Sequence, residues 1–242
     1  MKKFFAILLL LFCAQQINAQ GIFSKERLKN RENHDKQKYR WGYYLGLNSL
    51  DFDINYTAER SNVNEFPIEF QDIQTTKAVG FNVGLIGNLR LNDYVDLRIE
   101  PGVIFNTREL YFPNIADEND RIREIKTTAV HLPLLLKIST KRLNNFKPFL
   151  VGGLSTSINL SSNEDNPDDN ATGQFRTKTN LYSYELGFGI DFFLPYFKFT
   201  PSIRGVFSMT DEIVQDKDPN SPYTSFIDEL ETRGLFINFT FQ

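Results

Sequence analysis

Two histidines (His34 and His131), one cysteine (Cys13) and an acidic run at 164–170 (EDNPDDN) are the side chains of this 242-residue chain best suited to chemistry. A histidine becomes a general base toward a serine when an acid orients it, and such sets transfer or hydrolyse acyl groups. His34 falls in a charge-dense stretch near the N-terminus. His131 falls within an alternating apolar segment, beside Pro133. No serine is placed within its reach by sequence, so it is expected to be a hydrogen-bonded interior histidine, and no catalytic residue is expected. Structural or catalytic zinc takes three or four protein ligands, and two histidines without a retained cysteine do not supply them. No metal site, cofactor or small-molecule substrate is therefore expected. The 164–170 run, with Asn163 before it, offers oxygen ligands of the kind Ca²⁺ takes at 163–170. Its spacing matches no EF-hand and Pro167 interrupts it, so a solvated loop is the expectation.

The elements that would hold these residues show a period of two, the mark of a strand with two different faces. The last is the plainest. From Gly234 to Phe241, Leu235, Ile237, Phe239 and Phe241 share one face, while Gly234, Phe236, Asn238 and Thr240 share the other. Similar alternation starts near Tyr39, where Trp41, Tyr43, Leu45 and Leu47 lie on one face. After Ser49 the apolar parity changes to Leu50, Phe52, Ile54 and Tyr56, and a bulge near Ser49 is expected to cause it. A second strand carries Val79, Phe81, Val83, Leu85 and Leu89 opposite Asn82, Asn88 and Arg90. A third carries Val95, Leu97, Ile99, Val103 and Phe105 opposite Asp96, Arg98, Glu100 and Asn106. The fourth sets Val130, Leu132, Leu134, Leu136 and Ile138 against His131, Pro133, Leu135 and Lys137.

The fifth, 146–160, contains Gly152 and Gly153, and its faces are not legible. The sixth sets Tyr182, Tyr184, Leu186, Phe188, Ile190 and Phe192 against Ser183, Glu185 and Asp191. The seventh sets Phe197, Phe199, Ile203 and Phe207 against Lys198, Thr200, Ser202, Arg204 and Ser208. Tight turns join strands two and three, four and five, and six and seven. Long polar loops are expected at 57–77, 112–123, 161–175 and 211–228.

Eight strands joined alternately by long and short connections give an all-β fold: an antiparallel, up-and-down transmembrane β-barrel. Short turns are expected in the periplasm and long loops outside. A soluble eight-stranded barrel would turn the apolar face inward. Here the other face carries Arg90, Arg98, Glu100, Glu185, Asp191, Lys198 and Arg204, which suits a narrow lumen of paired charges, and aromatics gather near strand ends. Eight strands enclose a lumen that side chains can fill, so a salt-bridged plug is expected in place of an open pore.

The N-terminus reads as a signal peptide over 1–19. Lys2 and Lys3 precede an apolar run at 4–12, and Ala19 offers cleavage before Gln20, which would remove Cys13. Residues 20–38 read as a polar periplasmic tail, and 39–242 as the barrel. No apolar run of transmembrane-helix length follows. A net charge of -3 argues against nucleic-acid binding. Phe66, Phe70, Tyr111, Phe112, Tyr223 and Phe226 fall in or beside the loops, where they would anchor a partner or pack the loops together.

The stretch 41–52 (WGYYLGLNSLDF), following a basic tail, resembles the first strand of the PorT family. The pair 131–137 (HLPLLLK) and 147–153 (KPFLVGG) is similar to the wider group of small outer-membrane barrels of the Bacteroidetes. The resemblance implies an outer-membrane component of, or assembly factor for, the type IX secretion system, which also supports gliding motility. It implies action by protein contacts without catalysis, with outer-membrane lipids and other secretion-machine proteins as partners. The alternatives are a structural or adhesive outer-membrane barrel and a lipid A-modifying enzyme relying on His131.

Overall fold

The computed structural model describes residues 29–57, 72–115, 117–167, 175–219 and 221–242. The signal-peptide reading and Phe66 and Phe70 lie outside the described residues. Ten strands form: β1 (Tyr39–Tyr56), β2 (Gln74–Lys77), β3 (Val79–Arg90), β4 (Val95–Ile99), β5 (Gly102–Tyr111), β6 (Ile122–Ser139), β7 (Phe146–Asn159), β8 (Asn180–Phe193), β9 (Lys198–Ser208) and β10 (Ile227–Phe241). All pair antiparallel with their neighbours in one sheet. β1 pairs with β3 on one side and with β10 on the other, which closes the sheet into a ring.

Only Ala78 separates β2 from β3, and only Glu100 and Pro101 separate β4 from β5. Each of these couples fills one position of the wall, so the ring has eight positions. Pro101 has no N–H to give the ladder, which interrupts the strand there. Its carbonyl still accepts from the Leu85 amide at 2.8 Å, and the pairing resumes in the same register.

The expected alternation is present with the apolar face outward. Leu134, Leu136 and Leu186 are about half exposed or more, while Leu135, Lys137 and Glu185 are buried. Trp41 is 75% exposed. An outer surface this apolar along eight strand positions is a lipid-facing band, since a soluble barrel would bury it. β7, whose faces the sequence leaves open, turns Lys147, Phe149, Val151, Ser155, Ser157 and Asn159 inward and Leu150, Leu154 and Ile158 outward. A Cβ on Gly153 would stand 2.1 Å from the Leu134 carbonyl oxygen, so β7 can lie this close to β6 only with glycine there.

Three short connections (91–94, 140–145 and 194–197) lie at one end. Asn92 Oδ1 accepts from the amides of Tyr94 and Val95, both at 2.8 Å, and closes the first. Asn144 has φ 53°, a left-handed conformation that asparagine tolerates, in the second.

The bulge expected near Ser49 is not there. β1 and β10 pair without a break from Tyr43↔Phe241 to Asn55↔Glu229, and the irregularity falls between Asn55 and Tyr56. Leu50 and Phe52 are buried inward on the face that carries Tyr44 and Asn48. The apolar parity changes because the surroundings change. Past the lipid band the outward face meets water and carries Asp51, Asp53, Glu124, Lys126 and Arg233, while the inward face meets an apolar core. For the same reason β6 begins at Ile122 and β10 at Ile227, well before the expected apolar signal.

Candidate functional site

The lumen is the only place where the inward side chains of all wall positions can meet, and it is filled in layers. At the short-turn end, Arg40 Nη2 lies 2.6 Å from Asp96 Oδ2. Asp191 accepts from Lys137 Nζ at 2.6 Å and from Thr200 Oγ1 at 2.7 Å, and Lys198 Nζ stands 3.7 Å away. Lys137 also lies over the Phe149 ring, its Nζ 3.9 Å from the centroid.

The middle layer is a continuous network. Glu100 accepts from Arg98 Nη1 at 3.0 Å and from Arg204 Nη1 at 2.8 Å. Arg204 Nε makes an ion pair with Glu185 Oε2 at 2.8 Å. Glu185 Oε1 is 2.8 Å from His131 Nε2, and His131 Nδ1 is 2.7 Å from Ser157 Oγ. Two amide pairs also face the lumen: Asn82 donates to Asn238 at 2.7 Å, and Asn106 to Asn48 at 2.8 Å. The Tyr44 ring lies against the bare backbone of Gly84 and Gly102, where a Cβ would stand 2.6 Å from the ring and 2.1 Å from the hydroxyl. Buried charges need partners, and each carboxylate of this layer meets two of them.

Above this layer sit Leu50, Ile104, Val206 and Phe236. Arg108 then donates to Thr232 and Thr127 and lies 3.7 Å over the Phe52 ring. The long-loop end is closed by an apolar cap of Phe52, Leu110, Phe112, Ile125, Phe175, Ile213, Tyr223, Ile227 and Leu230. Burial pushes the Glu212 carboxyl upward, with Arg108 opposing.

The short-turn end is closed by the chain itself. Residues 29–38, expected as part of a polar periplasmic tail, fold across the mouth with a short 3₁₀ turn at His34–Lys36. Asn30 Nδ2 donates to Phe193 O at 3.0 Å, its backbone amide donates to Asn145 Oδ1 at 2.9 Å, and its carbonyl accepts from Arg142. Arg31 donates to Gln242 O at 2.9 Å. The Arg142 guanidinium lies 3.8 Å over the Phe193 ring and 3.7 Å from Asp35. His34 is 7% exposed, with its ring edge against Phe193. Burial, then Arg31, Lys198 and Arg40, hold its pKa down at about 4, with Asp191 opposing weakly.

The sequence could not see the partners of His131. Ser157 is 26 positions away and Glu185 is 54, and the barrel brings them together. In the neutral ring, Nε2–H donates to Glu185 and Nδ1 accepts from Ser157. Serine, histidine and acid stand in the order of a hydrolytic triad. The surroundings decide what that order does. Glu185 is shared with Arg204, and Phe236 stacks edge-on against the imidazole with centroids 5.8 Å apart. The adjoining cavity is about 40 Å³, room for a few waters at the ~10–15 Å³ each requires, and none for an acyl chain. The arrangement fixes the ring in the wall network.

In the acidic loop, Glu164 Oε2 accepts from the Thr179 amide at 2.7 Å, and the Thr179 side chain first, then this amide, lower the Glu164 pKa. The carbonyls of Asn166 and Pro167 accept from Arg176 and Lys217. Asp168, Asp169 and Asn170 lie outside the described residues. Among the described residues no three His, Cys, Asp or Glu side chains gather in a metal-binding group. Phe112 and Tyr223 pack edge to face, with centroids 5.2 Å apart, so these two loop aromatics hold the cap together.

A family model described as outer membrane protein beta-barrel domain matches residues 18–214. No curated protein matches the sequence. Similar solved structures include the outer membrane protein OprG from Pseudomonas aeruginosa, 12% identical, covering 84% of this chain and 93% of that one with a TM-score of 0.42. Neisserial surface protein A is 9% identical, with coverage of 82% and 95% and a TM-score of 0.42. The outer membrane protein AlkL, solved in DMPC lipid bilayers, is 12% identical, with coverage of 90% and 94% and a TM-score of 0.46.

Proposed function

The chain belongs to the outer membrane protein β-barrel domain family, and from that premise we propose that it serves the type IX protein secretion system as a component or assembly factor. It is an outer-membrane barrel whose apolar band contacts membrane lipids. Within that role it acts by protein contacts and not by catalysis. The observation that carries this reading is the filled lumen. Arg98, Glu100, Arg204, Glu185 and His131 span it, an apolar cap closes one end and residues 29–38 cross the other. A barrel so filled has its outer wall, its loops and its periplasmic face to work with. The type IX assignment is supported by the likeness of 41–52, following a basic tail, to the first strand of the PorT family.

Deleting the gene tests this reading. Proteins carrying the C-terminal sorting domain should then remain inside the cell, and gliding, where the cell glides, should stop. Normal export in the deletion strain would overturn it. Normal export together with lost surface attachment would favour an adhesive barrel with the packed cap as its platform.

A further inference from the structure

The charges at the periplasmic end of the lumen do not balance. Arg40, Lys137, Lys147 and Lys198 face inward there, all buried, and the carboxylates among them are Asp96 and Asp191. Asp96 is taken by Arg40. Both oxygens of Asp191 are taken, one by Lys137 and the other by Thr200. Among the described residues Lys147 reaches the Asp93 carbonyl, at 3.4 Å, and no carboxylate. Glu100 and Glu185, the next carboxylates along the lumen, are committed to Arg98, Arg204 and His131.

Lys198 is thus an ammonium with 0% exposure, 3.7 Å from an occupied carboxylate and with no hydrogen-bond partner among the described residues. Four further buried polar atoms at this mouth lack a hydrogen-bond partner among the described residues: Arg40 Nε, His34 Nδ1, Gln242 Nε2 and Asp35 Oδ1. At the same mouth Asp35 Oδ1 lies 3.7 Å from Arg142 Nη1, and the Gln242 carbonyl accepts from Arg31. His34 senses the same excess: Arg31, Lys198 and Arg40 all oppose its protonation, and Asp191 alone favours it. An uncompensated buried cation is among the most unfavourable things a fold can contain.

We propose that this end of the lumen binds a small monovalent inorganic anion of chloride size, held by Lys198 Nζ and Arg40 Nε and covered from the periplasm by His34. The neutral imidazole donates through Nδ1–H, which an anion accepts and a cation would not. The tail residues 29–38 then form the lid of an anion site, and the anion ties the lid to the wall. This assignment stands on the lumen charges and is independent of the secretion reading.

The test uses the refolded full mature chain in detergent, with chloride exchanged for gluconate at constant ionic strength. Chloride should raise the thermal unfolding midpoint by several degrees, because a ligand bound only by the folded state stabilises it by mass action. Lys198→Met, which keeps the length and removes the charge, should show no chloride dependence. A flat wild-type response, or the same rise in Lys198→Met, overturns the proposal. A second measurement does not depend on the variant folding. Wild-type crystals grown in bromide should show an anomalous peak between Lys198 and His34, and its absence overturns the site.

Discussion

Arg204 Nη1 donates to Glu100 at 2.8 Å while its Nε pairs with Glu185 at the same distance, so one guanidinium joins two carboxylates from different wall positions across the lumen. The bond to Glu100 crosses from β9 to the break between β4 and β5. It couples wall positions that are not adjacent in the ring.

Removing one member leaves the others buried and unpaired. Glu185→Ala strands Arg204 Nε and His131 Nε2 together and should lower stability by about 3–5 kcal/mol. Glu185→Gln keeps an acceptor for His131 and should lower it less. Urea titration followed by the heat-modifiable shift on gels measures both, and a loss below about 1 kcal/mol for Glu185→Ala would show that the network is not what holds the lumen.

The same filling bears on conductance. Purified protein in planar bilayers should give no large, stable channels, since the lumen holds a spanning ion network, an apolar cap and a docked tail. Deleting 29–38 should leave the central network, and hence the closure, in place. Steady porin-like steps from the intact chain would contradict the sealed interior.

The tail should release at acid pH. The His34 pKa is about 6.5 in the unfolded chain and about 4 when docked. A depressed pKa means that docking favours the neutral ring. That contribution is complete above about 6.5, declines as pH falls toward about 4, and is absent below that. In chloride-free buffer, hydrogen exchange of the 29–38 amides, corrected for its intrinsic pH dependence, should lose protection across this window. Arg31, Arg40, Lys198 and Asp191 surround the ring, and His34→Asn should flatten the dependence while they remain.

Gly153 should tolerate no side chain. The atom that a Cβ would meet at 2.1 Å is the Leu134 backbone oxygen, which cannot swing aside. Gly153→Val should therefore abolish the compact band, while Gly152→Ala, whose Cβ meets nothing closer than 3.4 Å, should fold. Equal folding of the two variants would contradict the close β6–β7 approach.

Trp41, the sole tryptophan, reports the lipid face directly. Brominated acyl chains should quench its fluorescence and an aqueous quencher should act only weakly. On the same wall Leu132→Arg should destabilise by about 2–4 kcal/mol if it lies near the bilayer midplane.

The wall was legible because lipid and lumen impose opposite chemistry on alternate residues. Phe81, Leu134 and Phe188 declare one face and Asn82, Lys137 and Glu185 the other without any knowledge of the fold. That logic failed at Ser49, where the parity change marks the strand leaving the bilayer and not a bulge. It was silent at Gly152 and Gly153, which carry no side chain to read. It could not set His34 beneath Phe193, because a polar stretch looks the same whether water or a barrel mouth surrounds it.

Sequence by itself determined that inward charges exist, that His131 shares their face, and that alternate residues meet hydrocarbon, because each follows from local period and residue type. Tertiary structure alone decided which charge meets which. Arg204 with Glu100 and Glu185, His131 with Ser157 and Glu185, and Lys198 left over beside Asp191 all depend on the stagger of strands around a closed ring. That stagger is a property of the whole sheet, set by pairing across distant segments, and no single segment encodes it.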